Sequence, residues 1–481
     1  MTEVLRDLIG PGSHDRRRAA EGLTARLRAL IRGGRLAPGA ALPASRVLAR
    51  DLGLARNTVA AAIDQLAAEG YLLTRRGCRP RVASGLIGTA PKADRTGPQA
   101  LAASTISRIV REPAALPAGR ACLADAATFP YDLWASCLRD AARRMPRGEL
   151  SDDRPALQAA LCEHLAEFRG VRAEPSQIVV VPTAQAGLSL IANALLARGE
   201  RAWIEEPGYP GIRAALAGAG AEIVPVAVDD QGLTVPEGDA PRLIFATPSH
   251  HYPTGRLMPV GRRQALLAAA ARHGAVVVED DYDGEFHYDG APVPSLQGLD
   301  DDGRVVYVGT FAKATTPDIR VGYLVVPPDL RGAIDAVRRG WGLIVPPHVQ
   351  EALGLFLKRG QYRAHVRRMR RLYRARRDAL AAVLAARGAD VFAVERSPGG
   401  LQLMAMLRHG GDDVALATDA SSCGIAVTPL SRCFAGPPAL RGLLIGFAAL
   451  GGASDPDRAV GTLCALARQR PHDQPVDDAA R

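Results

Sequence analysis

Between Asp15 and Gly33 the apolar residues Leu23, Leu27, Leu30 and Ile31 recur at three- and four-residue spacing. They share one face, which predicts an amphipathic helix. Gly33-Gly34 stops it, and Ala37-Pro38-Gly39 makes a turn. A second, short helix is expected from Ser45 to Asp51, with Val47, Leu48 and Leu52 apolar and Gly53 as its breaker. A third runs from about Ala55 to Gly70 and turns Val59, Ile63 and Leu66 inward. Tyr71-Leu72-Leu73 and Arg81-Val82 then read as two short strands around Arg75-Arg76-Gly77. Three helices followed by a small basic hairpin predict a winged helix-turn-helix.

From about Ala83 to Arg120 the periodicity is lost among Pro91, Gly97, Pro98, Pro113 and Pro117, the pattern of a linker. Beyond Ala121 strand-like and helix-like runs alternate. The strands are Ile178–Val181, Ala202–Glu205, Ile223–Val226, Leu243–Thr247, Ala275–Glu279, Val305–Val308 and Val321–Val326. They are β-branched and apolar on both faces, which predicts an α/β domain with a doubly wound, mainly parallel sheet. After Pro328 helices dominate, including an arginine-rich one from Arg363 to Arg377 that reads as a solvated face. Leu401–Leu407 and Leu443–Ala448 suggest a small C-terminal α+β subdomain. The expected organisation is a DNA-binding domain at 15–83, a linker at 84–120, a large domain at 121–468 and a disordered tail at 469–481.

Composition narrows the class. Apolar residues make up 47% of the 481, yet no uninterrupted apolar run is long enough for a membrane span. Met1 to Gly10 carries Glu3, Arg6 and Asp7 and lacks the apolar region of a signal peptide. A soluble, cytoplasmic protein is expected. The seven cysteines are scattered without a Cys-x-x-Cys pair, so neither a metal site nor a disulfide framework is expected. The charge is the more telling quantity. Up to Arg81 there are 15 arginines, no lysine and 7 acids, so this segment holds 8 of the chain's net +10. A small basic module joined to a nearly neutral large one is the electrostatic footprint of nucleic-acid binding.

The basic module has an ordered set of motifs: Leu36-Ala-Pro-Gly39, Leu42-Pro-Ala-Ser-Arg46, Leu52-Gly-Leu-Ala-Arg-Asn-Thr-Val59 and Glu69-Gly-Tyr-Leu72. Arg56, Asn57 and Thr58 fall at the start of the third helix, where a recognition helix meets base edges. Arg56 suits a bidentate contact to guanine and Asn57 one to adenine. Ser45 and Arg46 open the second helix, where backbone amides and a guanidinium hold a phosphate. Arg75, Arg76, Arg79 and Arg81 would line the wing. Over about 60 residues this segment resembles the DNA-binding domain of GntR-family regulators, which implies a double-stranded DNA operator as partner. The family's Gly-x-Gly at the wing tip is replaced by Gly77-Cys78-Arg79.

The larger part carries Glu206-Pro-Gly-Tyr-Pro210, Thr247-Pro-Ser-His-His-Tyr-Pro-Thr-Gly255, Glu279-Asp-Asp-Tyr-Asp-Gly-Glu-Phe286, and Gly309-Thr-Phe-Ala-Lys313 with Arg320-Val-Gly322. In this order it resembles the fold-type I aminotransferases, and specifically the aminotransferase-like half of MocR regulators within the GntR family. The resemblance implies pyridoxal 5′-phosphate as cofactor and a homodimer. Lys313, just past a strand, would be the lysine whose amine joins the cofactor's aldehyde, and is the catalytic candidate. Asp280 would face the pyridine nitrogen and keep it protonated. Tyr282 would reach the phenolic oxygen and Tyr209 would stack on the ring. Thr310 and Arg320 would hold the phosphate, with Thr183, Ala184 and Gln185 after the strand Ile178–Val181. His250 lies in the loop near the phenolic oxygen, with Tyr252 beside it.

There are departures. Thr183-Ala184-Gln185 stands where the family commonly has Gly-Ala-Gln, and Ala312 where a serine usually precedes the lysine. Leu150 replaces a tyrosine that would reach the neighbouring subunit's phosphate. Leu444 occupies the place of the arginine that clamps a substrate α-carboxylate. The expected function is therefore a DNA-binding transcriptional regulator whose large domain uses pyridoxal phosphate as sensor or structural cofactor. Its effector would be that cofactor or a small amine or related vitamer. Two rivals stay open: an aminotransferase with a fused DNA-binding domain, and a degenerate scaffold that has lost the cofactor.

Overall fold

The computed structural model describes residues 16–75, 78–84, 119–145, 152–238, 240–290, 293–448, 450 and 455–470; Arg76, Leu150, most of the expected linker and residues 471–481 lie outside them. The chain divides into two compact units, Met1–Ala102 and Ala103–Arg481.

In the first unit, helices α1 (Arg16–Arg32), α2 (Ser45–Leu52) and α3 (Arg56–Ala68) precede strands β1 (Leu72–Leu73) and β2 (Arg81–Val82). The strands pair antiparallel, Leu72 opposite Val82. The core is built from the residues that the periodicity turned inward: Leu23, Leu27, Leu30, Ile31, Leu48, Val59, Ile63 and Leu66, closed by Leu72 and Val82. Val47, expected on the apolar side of α2, is instead 39% exposed. Gly53 ends α2 at φ 65°, and its N–H caps the carbonyls of Ala49 and Arg50. That left-handed turn swings the chain into α3. Arg28 of α1 grips Glu69 past the end of α3 through two hydrogen bonds of 2.9 and 2.7 Å.

In the second unit the sequence-predicted strands are found, each within three residues of its expected ends. They are β3 (Ile178–Val181), β4 (Arg201–Glu206), β5 (Glu222–Asp229), β7 (Leu243–Ala246), β8 (Val276–Asp280), β9 (Val305–Thr310) and β10 (Gly322–Val325), joined by the short β6 (Gly232–Leu233), which was not among those expected. They form one eight-stranded sheet in the order β3-β10-β9-β8-β7-β4-β5-β6. Strands β9, β8, β7, β4 and β5, adjacent in that order, run parallel, and β6 pairs antiparallel with β5 at the edge. Strand β10 is antiparallel to both its neighbours, so the sheet is mixed, with a parallel majority. Two apolar clusters cover its faces, one around Leu188, Ile191 and Leu216 and a larger one around Phe286, Tyr307 and Phe356. Helix α4 (Ala184–Leu195) leaves β3, and the arginine-rich helix α5 spans Gln361–Arg387. Strands β11 (Phe392–Val394), β12 (Gln402–Leu407), β13 (Thr428–Pro429) and β14 (Gly442–Gly446) form a separate antiparallel sheet in the order β11-β12-β14-β13. Gly119 and Arg120, placed in the expected linker, already lie on this sheet: the Gly119 carbonyl accepts from Gly446 at 2.8 Å.

Among the described residues, no helix is long and apolar enough to cross a membrane. Leu66 is fully buried at the centre of the small first unit. Leu66→Ala should cost about 2–5 kcal/mol there. Hydrogen exchange on the full chain should show loss of protection across α1, α2 and α3 and unchanged protection in the eight-stranded sheet. Loss spread over both units would show that they do not unfold independently.

Candidate functional site

The first unit offers a basic surface. Arg56 and Asn57 are exposed on the first turn of α3, whereas Thr58 is only 8% exposed and packs inward beside Val59. The reading of three adjacent base-contacting residues is thus reduced to two with free side chains. Ser45, half-buried, is the first residue of α2, and Arg46 beside it is exposed. Arg75 and Arg79 are exposed on the wing. Arg81 is turned back, donating from Nη1 to the Gly39 carbonyl at 3.0 Å, which ties the wing to the turn before α2.

The second unit gathers its candidate residues at one end of the eight-stranded sheet. Strand β8 ends at Asp280, opposite Val308 of β9. Two residues on, Thr310 ends β9 opposite Gly322 of β10, which in turn faces Val181 of β3. Strand ends brought side by side therefore carry Asp280, Thr310, Arg320 and Thr183 to a common rim. Gly322 is needed there: a Cβ would come within 2.7 Å of the Ala184 nitrogen.

Around that rim is an anion cradle. Thr183 caps α4, its hydroxyl accepting from Ala186 N–H at 3.0 Å. The earlier amides, Ala184 and Gln185, have no place in the helix ladder, and the helix dipole favours an anion before them. Thr310 accepts at its hydroxyl from Ala312 N–H at 3.2 Å and is otherwise buried. Arg320 is exposed and held at φ 47°, a left-handed conformation that a non-glycine residue adopts at a cost. Gln185 uses its side chain elsewhere, donating from Nε2 to the Gly211 carbonyl at 2.9 Å.

Behind the cradle sit the groups for a ring. Asp280 is 5% exposed and its Oδ1 has no hydrogen-bond partner among the described residues. Burial pushes its carboxyl up to about 7; Asp281 and Asp283 add to the rise and Lys313 opposes it. Asp281 next to it is compensated, accepting from Arg169 Nε at 2.6 Å and Tyr307 hydroxyl at 2.5 Å. Tyr209 and Tyr252 meet edge to face at 5.4 Å, and Tyr252 meets Tyr282 at 6.2 Å. His250 has both ring nitrogens engaged, Nδ1 with Tyr282 hydroxyl at 2.9 Å and Nε2 with Ser397 Oγ at 2.7 Å. It holds Tyr282 from behind. Lys313 is half-buried and donates to the Cys122 carbonyl at 2.7 Å.

The residues fit pyridoxal phosphate. A buried carboxylate oxygen without a donor suits a protonated ring nitrogen, and an exposed arginine beside free helix amides suits a phosphate. Three residues of this neighbourhood escaped sequence reasoning: Cys122, Cys433 and Gln402. None carries a local signal, because each arrives from a distant segment. Tyr252 was visible in its motif, but its place between Tyr209 and Tyr282 was not. Leu444 is fully buried against Tyr252, Tyr282, Met404, Leu430 and Phe434. The place of the carboxylate clamp is an apolar wall.

Residues 19–82 match the model of bacterial regulatory proteins of the gntR family, and residues 137–444 that of aminotransferase class I and II. The chain is 38% identical over 440 residues to the probable rhizopine catabolism regulatory protein MocR of Rhizobium meliloti, covering 88% of this chain and 89% of that one. The chain belongs to the MocR-type regulators of the gntR family. Another relative of this MocR-type chain is the pyridoxine biosynthesis transcriptional regulator PdxR of Corynebacterium glutamicum, 35% identical over 430 residues and covering 88% and 91%. Its second unit shares the fold of a multiple substrate aminotransferase from Thermococcus profundus, with a TM-score of 0.69, 21% identity, and coverage of 77% and 96%. LysN, an α-aminoadipate aminotransferase from Thermus thermophilus, gives 0.66 at 25% identity, covering 76% and 95%.

The raised Asp280 carboxyl gives this MocR-type regulator a pH signature without cofactor. Between its ordinary value of 3.8 and about 7 the folded chain keeps a proton that the unfolded chain releases. That contribution is present below about pH 4 and is lost as pH rises to about 7. Asp280→Asn removes it. In denaturant unfolding, wild type should lose stability relative to the variant across that window; a constant difference would contradict the burial argument.

Proposed function

We propose that this regulator holds pyridoxal 5′-phosphate in the rim site as sensor or structural cofactor, and that occupancy by the cofactor or a small amine sets how the first unit engages double-stranded DNA. The reading includes a cytoplasmic homodimer with two DNA-binding modules. Its parts are a DNA-binding domain at 15–83, a linker at 84–120, a cofactor domain at 121–468 and a tail at 469–481. The observation that carries it is Asp280 Oδ1, buried without a donor, on the same rim as Lys313, Thr310 and Arg320. When bound, the cofactor supplies an aldehyde that reacts with amines. Asp280 would hold the ring nitrogen's proton, and Tyr209 and Tyr252 would wall the ring. Thr183, Ala184, Gln185, Thr310 and Arg320 would hold the phosphate, while His250 fixes the Tyr282 hydroxyl.

Leu444 weighs against an efficient transaminase. Without a guanidinium to orient a substrate carboxylate, the reacting bond is not held in line for proton removal. The same intact rim weighs against a scaffold that has lost its cofactor.

Reduction of the purified, cofactor-loaded chain with borohydride, followed by peptide mapping, should place a pyridoxyl group on Lys313. A chain that stays colourless with added pyridoxal phosphate would overturn the reading. On the DNA side, Arg56→Ala should cost about 1–3 kcal/mol and relax base preference at one position. Arg79→Ala should weaken all sequences alike and lower the salt slope by about 1. Wild-type binding by both variants to a mapped operator would mean that α3 and the wing do not read DNA.

A further inference from the structure

Cys122, whose carbonyl receives Lys313, also touches a buried polar group that nothing in the cradle uses. Strand β12 alternates: Leu403 and Ala405 enter the main core, whereas Met404 and Met406 pack with Tyr209, Tyr252, Tyr282, Cys122 and Leu444. Gln402 falls on the second face by the period of two. It is 3% exposed. Its Oε1 accepts from the Cys122 thiol at 3.0 Å, and the carbonyl of that same Cys122 receives Lys313 Nζ. Its Nε2 has no hydrogen-bond partner among the described residues. The amide orientation is thus set by Cys122, which leaves the donor end uncommitted.

The placement is built in. Gln402 lies opposite Gly446 on β14, and a side chain at Gly446 would strike the Arg120 carbonyl. Its absence lets the segment from Arg120 to Cys122 lie flat on the sheet and bring Cys122 between Gln402 and Lys313. Beside it the wall carries Leu444 opposite Met404, together with the rings of Tyr252 and Tyr282. The two terminal nitrogens of Arg213, near Phe434, are engaged by the carbonyls of Phe434 and Arg432, while its Nε has no hydrogen-bond partner among the described residues.

We propose that Gln402 reads the ligand of the cofactor site, and that this ligand is a primary amine whose second polar group is a neutral hydrogen-bond acceptor, a carbonyl or hydroxyl, in place of a carboxylate. This rests on the reading that Lys313 holds pyridoxal phosphate, since that is where an amine would be received. A buried donor without a partner carries a desolvation cost that a ligand's acceptor removes. A carboxylate brought to the same wall would be desolvated beside Leu444 and Met404, with no guanidinium at the position of Leu444 to meet it.

The test uses the full chain loaded with pyridoxal phosphate and three probes of similar size: glycinamide, glycine and propylamine. The readouts are the change in the visible absorption band and the shift in thermal unfolding. Glycinamide should half-saturate at a concentration about 10-fold below either of the others, the discrimination that one satisfied buried donor gives. Gln402→Leu should abolish that advantage and leave propylamine unchanged. Gln402→Met, which keeps the side-chain length and loses the donor, should do the same and serves if the leucine variant does not take up cofactor. Leu444→Arg should turn the preference toward glycine. Equal binding of glycine and glycinamide by wild type, or an advantage that survives both Gln402 variants, overturns the inference. A chain that takes up no pyridoxal phosphate overturns the cofactor reading itself, and this one with it.

Discussion

A carboxylate buried at the end of β8 is the constraint on which the larger unit depends. Burial makes ionising Asp280 costly and pushes its carboxyl up to about 7. The surroundings are arranged to leave the demand in place rather than to satisfy it. Asp281, its neighbour, is given Arg169, Tyr307 and a fixed geometry. Glu279, on the other side, accepts from two backbone amides, Leu296 and Gln297. Asp280 alone of the three faces the rim with an oxygen lacking a donor. Buried polar groups in folded proteins are nearly always satisfied. An exception at the carboxyl end of a sheet, with a lysine and an arginine on the same rim, marks a group brought in from outside.

The mixed sheet explains how the groups that would hold a phosphate come together beside that carboxylate. In an all-parallel sheet the loops that follow successive strands share one end. Here β10 runs the opposite way, so its start, not its end, lies at the rim. Arg320 sits two residues before that start, and the reversal brings it beside the first turn of α4. Gly322 then permits the close backbone approach to Ala184. The helix N-terminus offers oriented amides and the arginine a full charge, two contributions drawn from separate segments of the chain.

Much of this was legible before the structure. Strand runs such as Ile178–Val181 and Val305–Val308 are apolar on both faces, so their burial follows from composition alone. The helices of the first unit follow from the spacing of Leu23, Leu27, Val59 and Ile63. Lys313, Asp280 and Arg320 stand in motifs whose chemistry is local. What could not be read is whatever depends on distant segments meeting. Thr58 sits on the same first helical turn as Arg56 and Asn57, yet the rotation of about 100° per residue turns it into the core. The reversal of β10 leaves no trace in its apolar pattern. Cys122 and Gln402 are 280 positions apart, and only the two-layer packing of the small sheet against the rim makes them neighbours.

Strain gathers at the same place. Among the described residues, Cys122 and Arg320 are the two non-glycine residues with left-handed backbones, at φ 55° and 47°. Each costs on the order of 1–3 kcal/mol and persists only where its neighbours over-determine it. They do. Cys122 is held at its thiol by Gln402 and at its carbonyl by Lys313. Arg320 is held between the short turn Pro317–Ile319 and the bond from Phe311 N–H to the Val321 carbonyl. One strained residue thus carries the guanidinium on the cradle side of Lys313, and the other supplies the carbonyl that the lysine amine touches. Arginine and cysteine there give the rim a charge and a thiol at the cost of backbone ease, which is the trade a binding site makes and a structural core does not.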